Sequence, residues 1–168
     1  MKTKAAPPVI TIDGPSGTGK GTLCALLAKR LGWHLLDSGL IYRLLALEAL
    51  QHQLALDNVA ALVFQAHHLE GRFDDAGRVY LAGREVTQAV REEQCGQVAS
   101  QISIHGPVRD ALLARQRAFL VPPGLVADGR DMGTIVFPQA FIKFFLTASP
   151  TTRSQRRFLQ LQEKIPFE

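Results

Sequence analysis

The sequence predicts an α/β fold built on a parallel sheet, and three observations carry that prediction. An apolar, β-branched run, Val9-Ile-Thr-Ile, passes directly into a glycine-rich turn carrying a lysine and then into an apolar-periodic helix. Further apolar runs at 33–36, 125–128 and 141–147 alternate with segments of helical period, as in a sheet assembled from right-handed strand–helix–strand units. Residues 69–86 differ, with short alternating runs cut by Asp-Asp-Ala-Gly and Ala-Gly, the pattern of small antiparallel strands in an inserted subdomain.

The first strand, 8–12, is nearly all apolar, as a parallel strand buried on both faces requires. In the turn that follows, Gly14, Gly17, Gly19 and Gly21 allow positive φ and close approach, so that successive N–H groups converge on one anion. The next helix points its positive end at the same place. Gly14-Pro15-Ser16-Gly17-Thr18-Gly19-Lys20-Gly21-Thr22 therefore reads as a phosphate cradle of the Walker A kind, with Lys20 placed to reach β- and γ-phosphate oxygens. Gly21 stands where that pattern has Ser or Thr. Magnesium is then left to Thr22, to Ser16 or Thr18, or to water.

The helix presents Leu23, Leu26, Leu27 and Leu31 as its apolar face and stops at Gly32. A second strand, 33–36, ends at Asp37-Ser38-Gly39, and leucines at helical spacing predict a helix over 40–53 whose polar face carries Arg43. Polar helix-forming sequence spans 90–103. Pro107 then fits the first turn of a helix running to 119, which Pro122-Pro123-Gly124 terminates. Two strands follow, 125–128 ending in Asp128 and 141–147, and a closing helix over 150–164 carries Arg153, Arg156 and Arg157.

With 168 residues, 46% hydrophobic and 20% charged, the chain reads as one soluble globular domain with a small insertion. A net charge of +4 suits a protein that handles phosphates and is too small to argue for a nucleic-acid partner. Cys24 and Cys95 lack metal-ligand spacing and read as free thiols of a reducing cytoplasm. Residues 1–8 carry Lys2 and Lys4 but no apolar core segment and are not expected to form a secretory signal, and no apolar run approaches the roughly 18 residues needed to span a bilayer, so no membrane partner is expected. His34, His52, His67, His68 and His105 form no metal pattern, and no nucleophile elbow occurs.

Phosphoryl transfer needs positive groups around the migrating phosphoryl, magnesium and an aligned acceptor. At the C-terminal edge of the sheet, where ligands bind, the sequence places Asp37-Ser38, Arg43 one turn later, and Asp128-Gly-Arg130-Asp131. Asp128 has the position of an acid that holds magnesium or its water, or of a turn acid after a strand. Arg43 and Arg109 are either ligand-facing or solvated. Arg130 and Asp131, flanked by Gly129 and Gly133, are either in backbone-close contact with a ligand or a structural ion pair. Arg153, Arg156 and Arg157 are either a charged helix face or the start of a mobile lid that brings charge to the transition state.

Three stretches together resemble bacterial cytidylate kinase. They are Ile12-Asp-Gly-Pro-Ser-Gly-Thr-Gly-Lys-Gly-Thr22, Leu36-Asp-Ser-Gly-Leu-Ile-Tyr-Arg43 and Ala127-Asp-Gly-Arg-Asp-Met-Gly-Thr-Ile-Val-Phe-Pro138. Arg115-Gln-Arg-Ala-Phe119 and Leu159-Gln-Leu-Gln-Glu-Lys164 also fit, and the likeness runs from about Pro7 to Lys164. The resemblance implies a three-layer P-loop NTPase fold, with the antiparallel strands, within about 65–95, as an acceptor-binding insertion and 150–168 as the start of the lid. It implies transfer of the ATP γ-phosphate to CMP or dCMP, with Mg2+, by a cytoplasmic monomer. The loop 14–22 would bind ATP; Lys20, Arg130 and Asp128 would be catalytic. Arg43 and Arg130 would hold the acceptor's phosphate beside Ser38, and Ser100, Arg109 and Asp131 would read the cytosine base. Members of that family usually continue for several tens of residues past the stretch ending at Lys164. A truncated chain is therefore expected to lack further lid arginines, a ribose-holding acid, a strand and a final helix, and to bind better than it turns over. The rival expectations are another small P-loop kinase and a non-catalytic nucleotide-binding remnant.

Overall fold

The computed structural model describes residues 6–74 and 77–162, and the side chains of all of these except 160 and 161. Lys2, Lys4, Asp75, Ala76, Lys164 and 165–168, which enter the sequence reading, lie outside the described residues. In chain order the elements are β1 (Val9–Asp13), α1 (Lys20–Leu31), β2 (His34–Asp37), α2 (Ser38–Gln51), α3 (Val59–His68), β3 (Gly71–Phe73), β4 (Val79–Leu81), β5 (Arg84–Glu85), α4 (Glu93–Ile102), α5 (Gly106–Arg117), β6 (Leu125–Gly129), β7 (Ile142–Phe145) and α6 (Pro150–Gln162). The chain forms two compact units, one made of the chain up to Asp37 with the chain from Phe119 onward, the other of Ser38–Ala118.

The first unit holds a four-stranded, all-parallel sheet in the order β2-β6-β1-β7. Every residue of β1 and β6 is buried, as the unbroken apolar runs predict. The register pairs Ile12 with Asp128, Asp13 with Gly129 and Asp37 with Asp128, so the carboxylates of Asp13, Asp37 and Asp128 all arise at the C-terminal edge. Ile10, Ile12 and Val126 pack with Cys24 and Ala28 of α1, rimmed by Leu27, Trp33 and Leu146.

That packing corrects the expected face of α1. Leu23, Leu26 and Leu31 are exposed, and the buried positions are Cys24 and Ala28. Small side chains four residues apart let the helix lie close on the sheet. The leucine pattern could not tell this face from its neighbour, because both are apolar. Gly32 ends the helix in the left-handed conformation (φ 64°), as expected. β7, at the sheet's edge, is exposed on both faces, with Phe144 at 53% and Phe145 at 69%.

The second unit joins helices α2 to α5 with a separate antiparallel sheet, order β3-β4-β5. α2 supplies Ile41, Leu44, Leu45, Leu47 and two alanines to its core. α3 has no counterpart among the elements expected from the sequence. Its start is signalled by Asn58, whose side chain accepts the N–H of Ala61, a capping arrangement that competes with no strong leucine period. The helix expected over 90–103 begins later, after a 3-10 turn at Ala89–Arg91, whereas Pro107 does sit in the first turn of α5. Among the described residues no helix is long and apolar enough to cross a membrane.

Candidate active site

The chain leaves β1 through Gly14, whose φ of 146° and contact with the backbone of Leu146 leave no room for a side chain: a Cβ there would collide with the Leu146 carbonyl oxygen. The loop then folds over its own carbonyls. Pro15 O accepts from the Thr18 hydroxyl at 3.0 Å and from Lys20 Nζ at 2.9 Å. Gly17 O and Thr18 O accept from Arg156 Nη1 at 3.4 and 2.9 Å. With these carbonyls held by protein donors, the N–H groups are the side of the loop that can face an anion, and the N-terminus of α1 adds its dipole. Of the candidate hydroxyls, Thr18 is buried and bonded within the loop, while Ser16 and Thr22 are exposed.

Beside the loop lies an acidic edge. Lys20 Nζ is 3.9 Å from Asp128 Oδ1, both side chains nearly enclosed. Burial, then the neighbouring charge of Asp37, and to a lesser degree that of Asp13, push Asp128 up to about 6, against the opposing pull of Lys20. Cys24, beneath the same edge, is pushed up to about 12 by burial and by these carboxylates, so it is an unreactive thiol at neutral pH. Both cysteines are free thiols, the reading the sequence suggested, and both are buried.

From the end of β6 the chain passes through Gly129, exposed Arg130 and half-buried Asp131 into a π-turn at Met132–Val136. Gly14 N–H donates to Gly129 O at 3.3 Å, so the start of this segment is tied to the start of the phosphate loop. Asp13, which the sequence reading did not single out, accepts the N–H groups of Met132 and Gly133. An acid ending a strand just before a phosphate loop was the available signal.

In the second unit, Ser38 is buried at the start of α2, and three further expected residues are brought together. The Arg43 guanidinium donates to Val90 O at 2.8 Å and Glu92 O at 3.2 Å and lies against Gly96. Gly96 O accepts the Ser100 hydroxyl, Ser103 donates to Ser100 O, and Arg109 reaches Ser103 O at 3.4 Å. Gly96 and Ser103 are thus the links between Arg43, Ser100 and Arg109. α6 places Arg153, Arg156 and Arg157 within one turn; Arg153 packs on Gly17, with its Nε buried and unpartnered among the described residues.

A parallel sheet whose central strand opens into a lysine-bearing phosphate loop, with an acid on the neighbouring strand, is the fold of a P-loop kinase, a phosphotransferase. Comparison with known proteins narrows the class. The family described as cytidylate kinase matches residues 10–166. The chain is 61% identical over 160 residues to the cytidylate kinase of Sodalis glossinidius, covering 94% of this chain and 70% of that protein. It is 57% identical over 162 residues to that of Shewanella frigidimarina (94% and 71%), and 59% over 169 residues to that of Pseudomonas syringae pv. tomato (98% and 73%). The chain belongs to the cytidylate kinase family, and its function is that of a nucleoside monophosphate kinase.

Proposed function

We propose that this chain transfers the γ-phosphate of ATP to CMP or dCMP, giving ADP and the nucleoside diphosphate. The observation that carries the reading is the juxtaposition at one sheet edge of the phosphate loop leaving β1 and the Asp128-Gly-Arg130-Asp131 segment leaving β6, tied by the Gly14–Gly129 hydrogen bond. A donor cradle and a charged acceptor segment side by side are what in-line phosphoryl transfer requires.

In this reading residues 14–22 cradle the triphosphate and Lys20 exchanges Pro15 O and Asp128 for β- and γ-phosphate oxygens. An acceptor phosphate oxygen attacks the γ-phosphorus as the bond to the β-bridging oxygen breaks, and Arg130 holds the attacking group. Asp131 accepts from the N4 amino group of cytosine. Uracil would set an oxygen against the carboxylate, and a buried unpaired polar group costs roughly 1–3 kcal/mol, about one to two decades of preference. Ser38, Arg43, Ser100 and Arg109 are proposed as acceptor-binding residues, and Arg153, Arg156 and Arg157 as lid residues. Among the described residues no group of three or more His, Cys, Asp or Glu side chains is arranged to hold a metal. Asp128, with its raised proton affinity beside Asp37, and the exposed Thr22 hydroxyl nevertheless fit Mg2+ shared with phosphate oxygens, directly or through water. The ion would neutralise charge between the β- and γ-phosphates. Buried free thiols support a reducing, cytoplasmic setting.

The test is ADP release coupled to a spectrophotometric assay, with ATP, Mg2+ and CMP, dCMP, UMP or AMP as acceptor. CMP-dependent turnover that Lys20→Ala abolishes is expected. No preference for CMP over UMP would remove the assignment of Asp131, and ADP formation independent of any acceptor would remove the reading itself.

A further inference from the structure

Asp13 is a buried carboxylate, 5% exposed, at the end of the strand that feeds the phosphate loop. Its two oxygens each accept one backbone N–H across the sheet edge, Oδ1 from Met132 and Oδ2 from Gly133, both at 2.8 Å. Those donors open the turn Met132–Val136. The first N–H groups of a helical turn have no partner within it, and a carboxylate is the strongest acceptor for them. At the same point the Asp131 carbonyl accepts from Ile135 at 2.8 Å and Val136 at 3.2 Å, so the backbone on either side of Asp131's own carbonyl is gripped.

Gly133 shows how close this approach is. A Cβ there would come 2.7 Å from Thr11 Oγ1 and 3.3 Å from Asp13 Oδ2, although no left-handed φ demands glycine at this position. A third carboxylate beside Asp37 and Asp128 is electrostatically unfavourable, and each oxygen of Asp13 is engaged by one N–H of the turn. We propose that Asp13 is a positioning residue for acceptor recognition, holding from the root of the phosphate loop the segment that presents Arg130 and Asp131. This rests on the reading of those two residues as acceptor-binding groups.

Asp13→Asn keeps one acceptor oxygen and turns an amide N–H2 toward a backbone N–H. Gly133→Ala leaves the carboxylate intact and pushes the turn away from it. Both variants are expected to weaken CMP binding by about tenfold in titration calorimetry, the loss of one good charge-assisted hydrogen bond, while ADP affinity changes less than about twofold. Amide exchange at Met132 and Gly133 should accelerate in Asp13→Asn, and the margin of CMP over UMP should narrow in both. A merely structural role would lower the melting temperature and leave the ratio of CMP to ADP affinity unchanged, which overturns the proposal, as does unaltered exchange at the two amides. If Asp13→Asn does not fold, Gly133→Ala alone decides by the same ratio. Failure of the functional reading is distinguishable, because it appears as absence of CMP binding in the unaltered chain.

Discussion

Gly96 stands inside α4, where glycine is less favourable than alanine by roughly 0.8–1.0 kcal/mol, and the structure shows what its missing side chain admits. A Cβ there would lie 2.5 Å from Arg43 Nη2 and 3.0 Å from Cζ, so the guanidinium occupies the space a side chain would fill. Gly96→Ala should therefore stabilise the helix or leave the melting temperature level while displacing Arg43. We expect CMP affinity to fall about tenfold or more in titration calorimetry, because a charge-assisted contact is lost, with ADP affinity unchanged. The sequence carried part of this. The resemblance names Arg43, Ser100 and Arg109 as candidates, but the hydrogen-bonded chain joining them through Gly96 and Ser103 depends on how α2, α4 and α5 meet, which no spacing records. A glycine interrupting a helical pattern was the one local trace of it.

Among the elements, α6 and the phosphate loop are joined by a side chain whose use the sequence left open between a charged face and a lid. Arg156 donates to two loop carbonyls, and Arg153 packs on Gly17, so the helix braces the cradle from outside. Arg156→Ala is expected to weaken ADP binding about five- to tenfold, in line with roughly 1 kcal/mol for an exposed charge-assisted contact, and Arg156→Lys to recover part of it. Titration calorimetry checks this, and equal ADP affinities in all three proteins would show that the brace is dispensable. The strands were legible to within a residue or two, because runs such as Val9–Asp13 and Leu125–Gly129 are apolar for one reason, burial on both faces. α1 was legible in extent and not in orientation: a helix with leucines on one side and Cys24 and Ala28 on another offers two apolar faces, and only the sheet chooses.

At the scale of the molecule, the acidic edge sets a pH dependence. Asp128 is raised from 3.8 to about 6, so between those values the folded chain holds a proton that the unfolded chain has released. Its contribution to stability is thus present below about pH 4 and is lost as pH rises through about 6. Asp128→Asn should accordingly melt higher than the unaltered chain at pH 7–8, with the difference shrinking as pH falls to 4. A melting difference independent of pH would contradict the raised proton affinity. By itself the sequence determined the α/β class, the phosphate loop with Lys20, the antiparallel strands and the family to which these belong, because those features are local: a run of burial, a glycine-rich turn, a short motif. Only the tertiary structure decided that Asp13 grips the turn after Asp131, 119 residues away in the chain, that Arg156 braces the loop, and that β7 stands exposed at the sheet edge. Such contacts are set by strand order and register, and strand order follows from how whole elements bury one another rather than from any segment's own pattern.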